Sequence, residues 1–201
     1  ILQRVSSKQG NASNPLSIEQ YLNKKSAYVG EQLILQTDVT VRGTKISDAN
    51  LDEIKLKDFI RESFGKEAQS QKTSSNGNSK TYSIKEAVFP LKEGTLKIPQ
   101  RSFQASIYYL NPNRRNRNWS VFDELWPDIS MRNDFSKKPI KRTAEGFGLD
   151  VKPLPQTNYS SYIAVGNLKV KSNADKTSFD LGDSTTLKIV VRGDANLRPF
   201  K

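Results

Sequence analysis

The chain of 201 residues contains no cysteine and no histidine. Their absence excludes disulfides, thiol chemistry, imidazole catalysis and ordinary zinc or copper sites from this sequence. It leaves the compartment open. There is one methionine, and no run of about 18 apolar residues that could cross a bilayer as a helix. The start, ILQRVSSKQGNASNP, lacks a basic region followed by an apolar stretch, so these residues carry no signal-peptide pattern. Acidic residues are the minority: 21 against 32 lysines and arginines, a formal net charge of +11. Such a surface attracts phosphate-rich or acidic partners, but the lysines spread along the whole chain, as on a domain with a scattered basic surface.

What is present is a repeat. Leu16–Leu35 (LSIEQYLNKKSAYVGEQLIL) aligns without a gap with Leu168–Leu187 (LKVKSNADKTSFDLGDSTTL). Leu16 matches Leu168, Ile18 Val170, Lys24 Lys176, Ser26 Ser178, Gly30 Gly182 and Leu35 Leu187, with Glu31 against Asp183. Each copy is an alternating run, a turn ending in Gly–acid, and a second alternating run, the opening of a β-sandwich domain. The expected fold is all-β: an immunoglobulin-like β-sandwich with a short helical insert, followed by the opening strands of a second similar domain. The expected boundaries are a lead-in or the end of a preceding domain over 1–14, a sandwich over 15–155 with its insert at 111–135, a linker over 156–164, and a truncated second domain over 165–201. A fragment of a longer protein is the expectation, since Ile1 is not an initiator and the second copy has too few strands to close.

Within the first unit, Leu16–Leu22 and Gln32–Val41 alternate as half-buried strands, the latter with Leu33, Leu35, Thr37, Val39 and Val41 on one face. Tyr28 and Val29 are expected to tuck inward before the Gly30 turn. A weak strand signal lies near Leu51–Leu56, and Phe59, Ile60 and Phe64 read as core anchors. Asn76-Gly77 marks a type I′ hairpin pairing Glu67–Thr73 with Lys80–Phe89. In Thr81–Phe89, Tyr82 and Ile84 should face inward. Pro99 separates strands at Thr95–Ile98 and Ser102–Tyr109, and Lys138–Lys152 should close the unit with one or two strands.

Motifs for chemistry are weak. Asp48-Ala49-Asn50-Leu51-Asp52 begins like a calcium loop, but Glu53 stands where the glycine should be and Phe59 where the closing glutamate should be. No G-x-S-x-G elbow, phosphate-cradling glycine loop or locally paired carboxylates occur. A Ser–Lys dyad remains a formal catalytic option, as do distant carboxylates that a fold could bring together. No cofactor, metal or catalytic residue is assigned. The sharpest cluster is Arg114, Arg115 and Arg117 followed by Trp119, Phe122 and Trp126, whose helical spacing ends at Pro127. Guanidinium forks beside aromatic anchors suit a protein interface. The alternative is a solvated loop leading into a helix that buries its aromatics on the sandwich. Asp123, Glu124, Asp128 and Asp134 partly cancel the charge, which argues against a nucleic-acid groove.

The run Tyr28-Val29-Gly30-Glu31-Gln32-Leu33, then Asp58-Phe59, Ala87-Val88-Phe89-Pro90-Leu91-Lys92-Glu93-Gly94-Thr95-Leu96-Lys97-Ile98-Pro99, Asp150-Val151-Lys152-Pro153-Leu154-Pro155, Val165-Gly166-Asn167-Leu168, Leu181-Gly182-Asp183 and Gly193-Asp194-Ala195-Asn196-Leu197 resembles the BatD family, the "oxygen tolerance" protein of the Bacteroides aerotolerance operon. The resemblance runs in order from about Pro15 to the end. It implies a signal peptide, several immunoglobulin-like domains outside the cytoplasm and a membrane segment near the C-terminus of the parent protein. It implies a periplasmic location tethered to the inner membrane, and partners with von Willebrand A-type domains and tetratricopeptide repeats. It brings no catalytic residues. The expected function is therefore a non-catalytic protein-interaction module of an envelope protein, able to self-associate through its truncated second domain. The alternative is a sandwich that binds a glycan or a polyanion.

Overall fold

The computed structural model describes residues 14–110, 135–156 and 163–195. They form thirteen strands and one turn of 3-10 helix, with no α-helix among the described residues. The helical insert expected at 111–135 lies almost wholly outside them. Its last residue, Phe135, is already in a strand.

The first layer is built around a long central strand. Strand β1 (Leu16–Leu22) pairs antiparallel with β3 (Leu33–Arg42), which pairs with β7 (Ser79–Pro90). The far edge of β7 is shared end to end by β6 (Gln69–Thr73) and β5 (Phe59–Ser63). β3 alternates as its sequence demands: Leu33, Leu35, Thr37, Val39 and Val41 are buried, and the intervening residues are partly exposed.

A second layer lies over this face. It holds β4 (Ile46–Leu51), β9 (Arg101–Leu110) and β10 (Phe135–Ala144) in one sheet, and β8 (Gly94–Ile98), β11 (Phe147–Lys152) and the short β2 (Ser26–Tyr28) in another. The β2–β11 pairing is parallel and the rest are antiparallel. Each sheet covers its own part of the first layer. Leu22, Leu33, Leu35, Val88, Ile98 and Leu149 pack in one core cluster, and Leu16, Ile18, Val39, Val41, Phe103 and Ala105 in the other.

The boundary between these two sheets is a bend. Pro99-Gln100 interrupts β8 and β9, and Glu145-Gly146 interrupts β10 and β11 directly opposite, between the pairs Ala144↔Arg101 and Phe147↔Ile98. Proline cannot donate to the ladder, so carbonyls at the break need another donor. The fully buried Gln20 of β1 supplies it. Its Nε2 donates to Pro99 O (2.7 Å) and Glu145 O (3.2 Å). The two strands approach so closely there that a Cβ on Gly146 would lie 2.6 Å from Ile98 O.

Several local expectations need correction. Ala27, not Tyr28, points into the core, because period-2 alternation along β2 turns Tyr28 to solvent at 41% exposure; Val29 is partly buried. The strand expected near Leu51–Leu56 ends at Leu51, and Ile54 beyond it fills the core as part of the connection. Phe59 is a core residue, but Ile60 is only half buried and Phe64 is exposed, since β5 ends at Ser63 and Gly65 (φ +73°) turns the chain away. The Asn76-Gly77 hairpin forms, with Thr73 opposite Lys80, but not as a type I′ turn. Gly77 N–H donates to Ser74 O (2.9 Å), so Gly77 ends a four-residue turn in the left-handed region at φ +69° while Asn76 does not adopt positive φ.

The sequence repeat is a structural repeat. β12 (Leu168–Ala174) and β13 (Leu187–Gly193) pair in the same register as β1 and β3: Leu16↔Val41 through Leu22↔Leu35 in one, Leu168↔Gly193 through Ala174↔Leu187 in the other. The turns match as well. Asn23 N–H donates to Ile34 O and Asp175 N–H to Thr186 O, both at 3.2 Å. Asn23 Oδ1 accepts from Ile34 N–H and Asp175 Oδ1 from Thr186 N–H, both at 2.9 Å. Lys24 pairs with Glu31, and Lys176 with Asp183. Gly30 and Gly182 both take positive φ. The chain just past the second hairpin meets the turn of the first copy through a bridge between Glu31 and Ala195.

Two predictions follow from this packing. Gly146→Ala drives a Cβ into backbone and should cost about 2–4 kcal/mol in a denaturant titration, whereas Gly148→Ala, which meets only the Thr95 methyl at 3.4 Å, should cost far less. The second concerns acid. The Thr185 hydroxyl and the Thr186 N–H hold the Asp175 carboxyl below its usual range. A carboxyl held low in the folded state stabilises at pH above its ordinary value of about 3.9 and loses that contribution as pH falls through the lowered one. The equivalent Asn23 does not titrate. Amide exchange at Thr186, corrected for intrinsic rate, should therefore lose protection on acidification while Ile34 keeps its own. Equal behaviour of the two amides would remove Asp175 from the account.

Candidate functional site

The two layers are closed on one side and open on the other. On the closed side β1 lies beside β10. Arg42 Nη1 donates to Ser17 Oγ (2.9 Å) and Arg142 Nη2 to Asn14 Oδ1 (2.7 Å), and β1 is buried along nearly its whole length. On the open side the layers end in β4 above and β6 below. Between them runs a groove of about 520 Å3.

Its floor is inner-face core that no further strand covers among the described residues. Val39 and Phe103 are buried at the back, with Leu51 and Ile84 half covered and Tyr82 exposed at 36%. Register puts Gln71 opposite Tyr82 and Gln69 opposite Ile84, so both amides share the inner face with the apolar floor. Both are exposed. β4 narrows the upper rim with a bulge: pairing with β9 shifts between Ser47 and Asn50, and Asp48 has φ +53°.

At the upper end of the groove a buried charge pair ties the layers together. Arg101 Nη1 of β9 donates to Glu86 Oε2 of β7 at 2.6 Å and to Thr37 Oγ1 of β3 at 3.1 Å. Arg101 and Glu86 are each only 7% exposed. Arg101 Nε donates to Asp52 O (3.0 Å), fixing the chain as it leaves β4. The other oxygen of Glu86 lies 3.7 Å from Arg61 Nη1, and Arg61 Nη2 reaches Glu53 Oε1 at 2.6 Å. Glu86 thus sits between two guanidinium groups, with Oε2 accepting from Arg101 and Oε1 facing Arg61, an arrangement that ties the layers together.

A smaller cluster lies on the outer surface of the second layer. Lys137 Nζ is 5.4 Å from the Tyr108 ring centroid and 3.7 Å from Asp48 Oδ2. The Ser47 hydroxyl, then Ser106 and the Lys137 charge, hold the Asp48 carboxyl below its usual range. Among the described residues no group of three or more Asp and Glu side chains could hold a metal ion.

The residues singled out from sequence, Arg114, Arg115, Arg117, Trp119, Phe122 and Trp126, lie outside the described residues. The groove itself was not anticipated. Its signal was a strand with no apolar residue on either face: Gln69–Thr73 (QSQKT) pairs with a strand yet buries nothing, as an edge does. No family model, curated protein or solved structure matches the chain.

The buried pair makes a direct prediction. Arg101→Met alone should cost about 3–5 kcal/mol by stranding Glu86, and adding Glu86→Leu should recover much of that loss. A double-mutant cycle by urea unfolding measures both, and additive losses would show that the two side chains act separately.

Proposed function

We propose that this chain is part of a tandem array of immunoglobulin-like β-sandwich units, serving as a non-catalytic protein-interaction module of a membrane-anchored, BatD-like envelope protein outside the cytoplasm. The observation that carries the tandem reading is the shared register of β1–β3 and β12–β13, down to the same turn hydrogen bonds and Lys–acid pair. An alternating hairpin of this kind stabilises little until a second layer covers its apolar face. In the first copy Leu16, Ile18, Leu35 and Val39 have that cover. In the second, Val170 and Leu187 are 64% and 60% exposed among the described residues.

The immunoglobulin-like assignment is supported by the way the chain passes between layers. β3 lies in one, β4 in the other, β5 to β7 in the first again and β8 to β11 in the second. The units over 15–155 and 165–201 follow from the same repeat. The envelope setting, the partners with von Willebrand A-type and tetratricopeptide domains and the link to oxygen tolerance rest on the sequence resemblance. Repeated β units joined in series space and present surfaces, and groups positioned for acid–base chemistry are not required for that.

One observation favours the alternative of a glycan or polyanion ligand. The face of β12–β13 opposite the apolar one carries Lys169, Lys171, Lys188 and Arg192. The two readings separate in one experiment: crosslinking and mass spectrometry of the full-length protein in its own envelope. The module reading expects crosslinks from lysines of residues 15–155 to envelope proteins, persisting at high salt. Binding that is confined to acidic polymer and collapses with salt would replace it with the polyanion reading.

A further inference from the structure

We infer that the edge of β6, unpaired among the described residues, is an acceptor site for an extended, acidic–apolar segment of a partner protein, which adds to the first layer as a strand. This rests on the reading of the chain as an interaction module and names the kind of segment that the module takes.

The phase of the ladder decides which backbone groups are free. Gly43 N–H donates to Asn78 O and Ser74 N–H to Ser79 O, both at 2.9 Å. Counting along antiparallel β7 from either bond, Tyr82 and Ile84 spend their N–H and C=O on Val39 and Thr37 of β3. Gln71 and Gln69, their partners on β6, therefore direct N–H and C=O away from β7, along the open edge. These are the residues whose side chains share the face of Tyr82 and Ile84. A strand added to this edge would pair its backbone there and place every second side chain on the inner face, beside Gln69 and Gln71 and on the same side as the groove floor.

The edges at β1 and β4 are less open to such pairing. β1 is covered by β10, and β4 is interrupted by the Asp48 bulge, a device that protects edges. β6 has five regular residues, no proline and one charge, Lys72. Charge specifies the occupant further. Residues 69–85 contain three lysines and no aspartate or glutamate. Alternate residues of an added strand point to the outer face, where Lys72 lies, and a carboxylate there forms a favourable cross-strand pair. The fitting segment thus alternates apolar residues, for the Tyr82 and Ile84 side, with Asp or Glu.

The test uses the full chain and a short fluorescent peptide of alternating glutamate and valine, with an alternating lysine–valine peptide as control. By fluorescence polarisation the acidic peptide should bind at least about tenfold more tightly than the basic one. Gln71→Pro removes an outward N–H that β7 does not use, so it should abolish binding while leaving the circular dichroism of the sheet intact. Lys72→Glu, a change at an exposed side chain, should reverse the peptide preference and decides the matter if Gln71→Pro does not fold. Absence of binding, equal binding of both peptides, or binding that survives Gln71→Pro in a folded variant overturns the proposal. So does concentration-dependent dimerisation that Gln71→Pro abolishes, which would make a second copy of the chain the occupant. The assay contains no envelope component, so its failure leaves the crosslinking result standing, and the reverse also holds.

Discussion

Arg101 and Glu86 meet across the gap between the layers, and much of the unit is arranged to let them. Arg101 is the first residue of β9, immediately after the break at Pro99-Gln100. The guanidinium reaches β7 and β3 below and the end of β4 beside it. Two buried charges cost several kcal/mol each in lost hydration unless pairing and hydrogen bonds offset the loss. Here the geometry does so: Glu86 takes Arg101 on one oxygen and lies near Arg61 on the other, and Thr37 accepts a further bond. The polar Thr37 in the otherwise apolar stripe of β3 has its explanation in this site.

The pair also lies at one end of the groove, where Arg101 holds Asp52 O as the chain leaves β4. Ile54 then drops into the core beside Phe59, filling the space under β8 and β11 instead of extending the sheet. Burial of these side chains favours folding by about 25 cal/mol per Å2 of apolar surface. At the β4–β6 opening that gain is forgone for Tyr82 and part of Ile84. An edge left this way has a plain physical use, which is to gain that burial when something else covers it.

Much of the scaffold was legible in the residues. Period-2 alternation located β3 and its inner face residue by residue, because both layers bury one side of it. The repeat locates β12–β13 in the sequence, and the agreement extends to register because Asn23 and Asp175 cap the same amide position. Legibility failed where alternation did not carry the signal. β6 is polar on both faces and β4 contains a bulge, so neither shows a stripe. Phe64 looks like core by composition, yet β5 ends at Ser63 and the 3-10 turn at Gly65–Ala68 leaves it exposed before β6 takes up the same edge. Asn-Gly read as a two-residue turn gave the correct pairing with the wrong turn, since Ser74 captures the Gly77 N–H and the Ser79 N–H and draws the loop out to four residues. The Arg101–Glu86 contact joins residues from different strands and layers, and no local spacing announces it.

The two copies of the hairpin show what a repeat conserves and what it leaves to context. Turn hydrogen bonds, glycine conformation and the Lys–acid pair are local, so they survive wherever the sequence recurs. Cover is not local. The face carrying Leu16, Ile18 and Val39 is buried because β9 and β10 lie over it, and the face carrying Leu168, Val170 and Val191 has no such layer among the described residues. Yet the second hairpin keeps the register of the first. The register shared by the two hairpins goes with the turn and cap they share. A chain built from such openings can fold each unit from its own first hairpin, and the surfaces it presents between units depend on which edges later strands leave free.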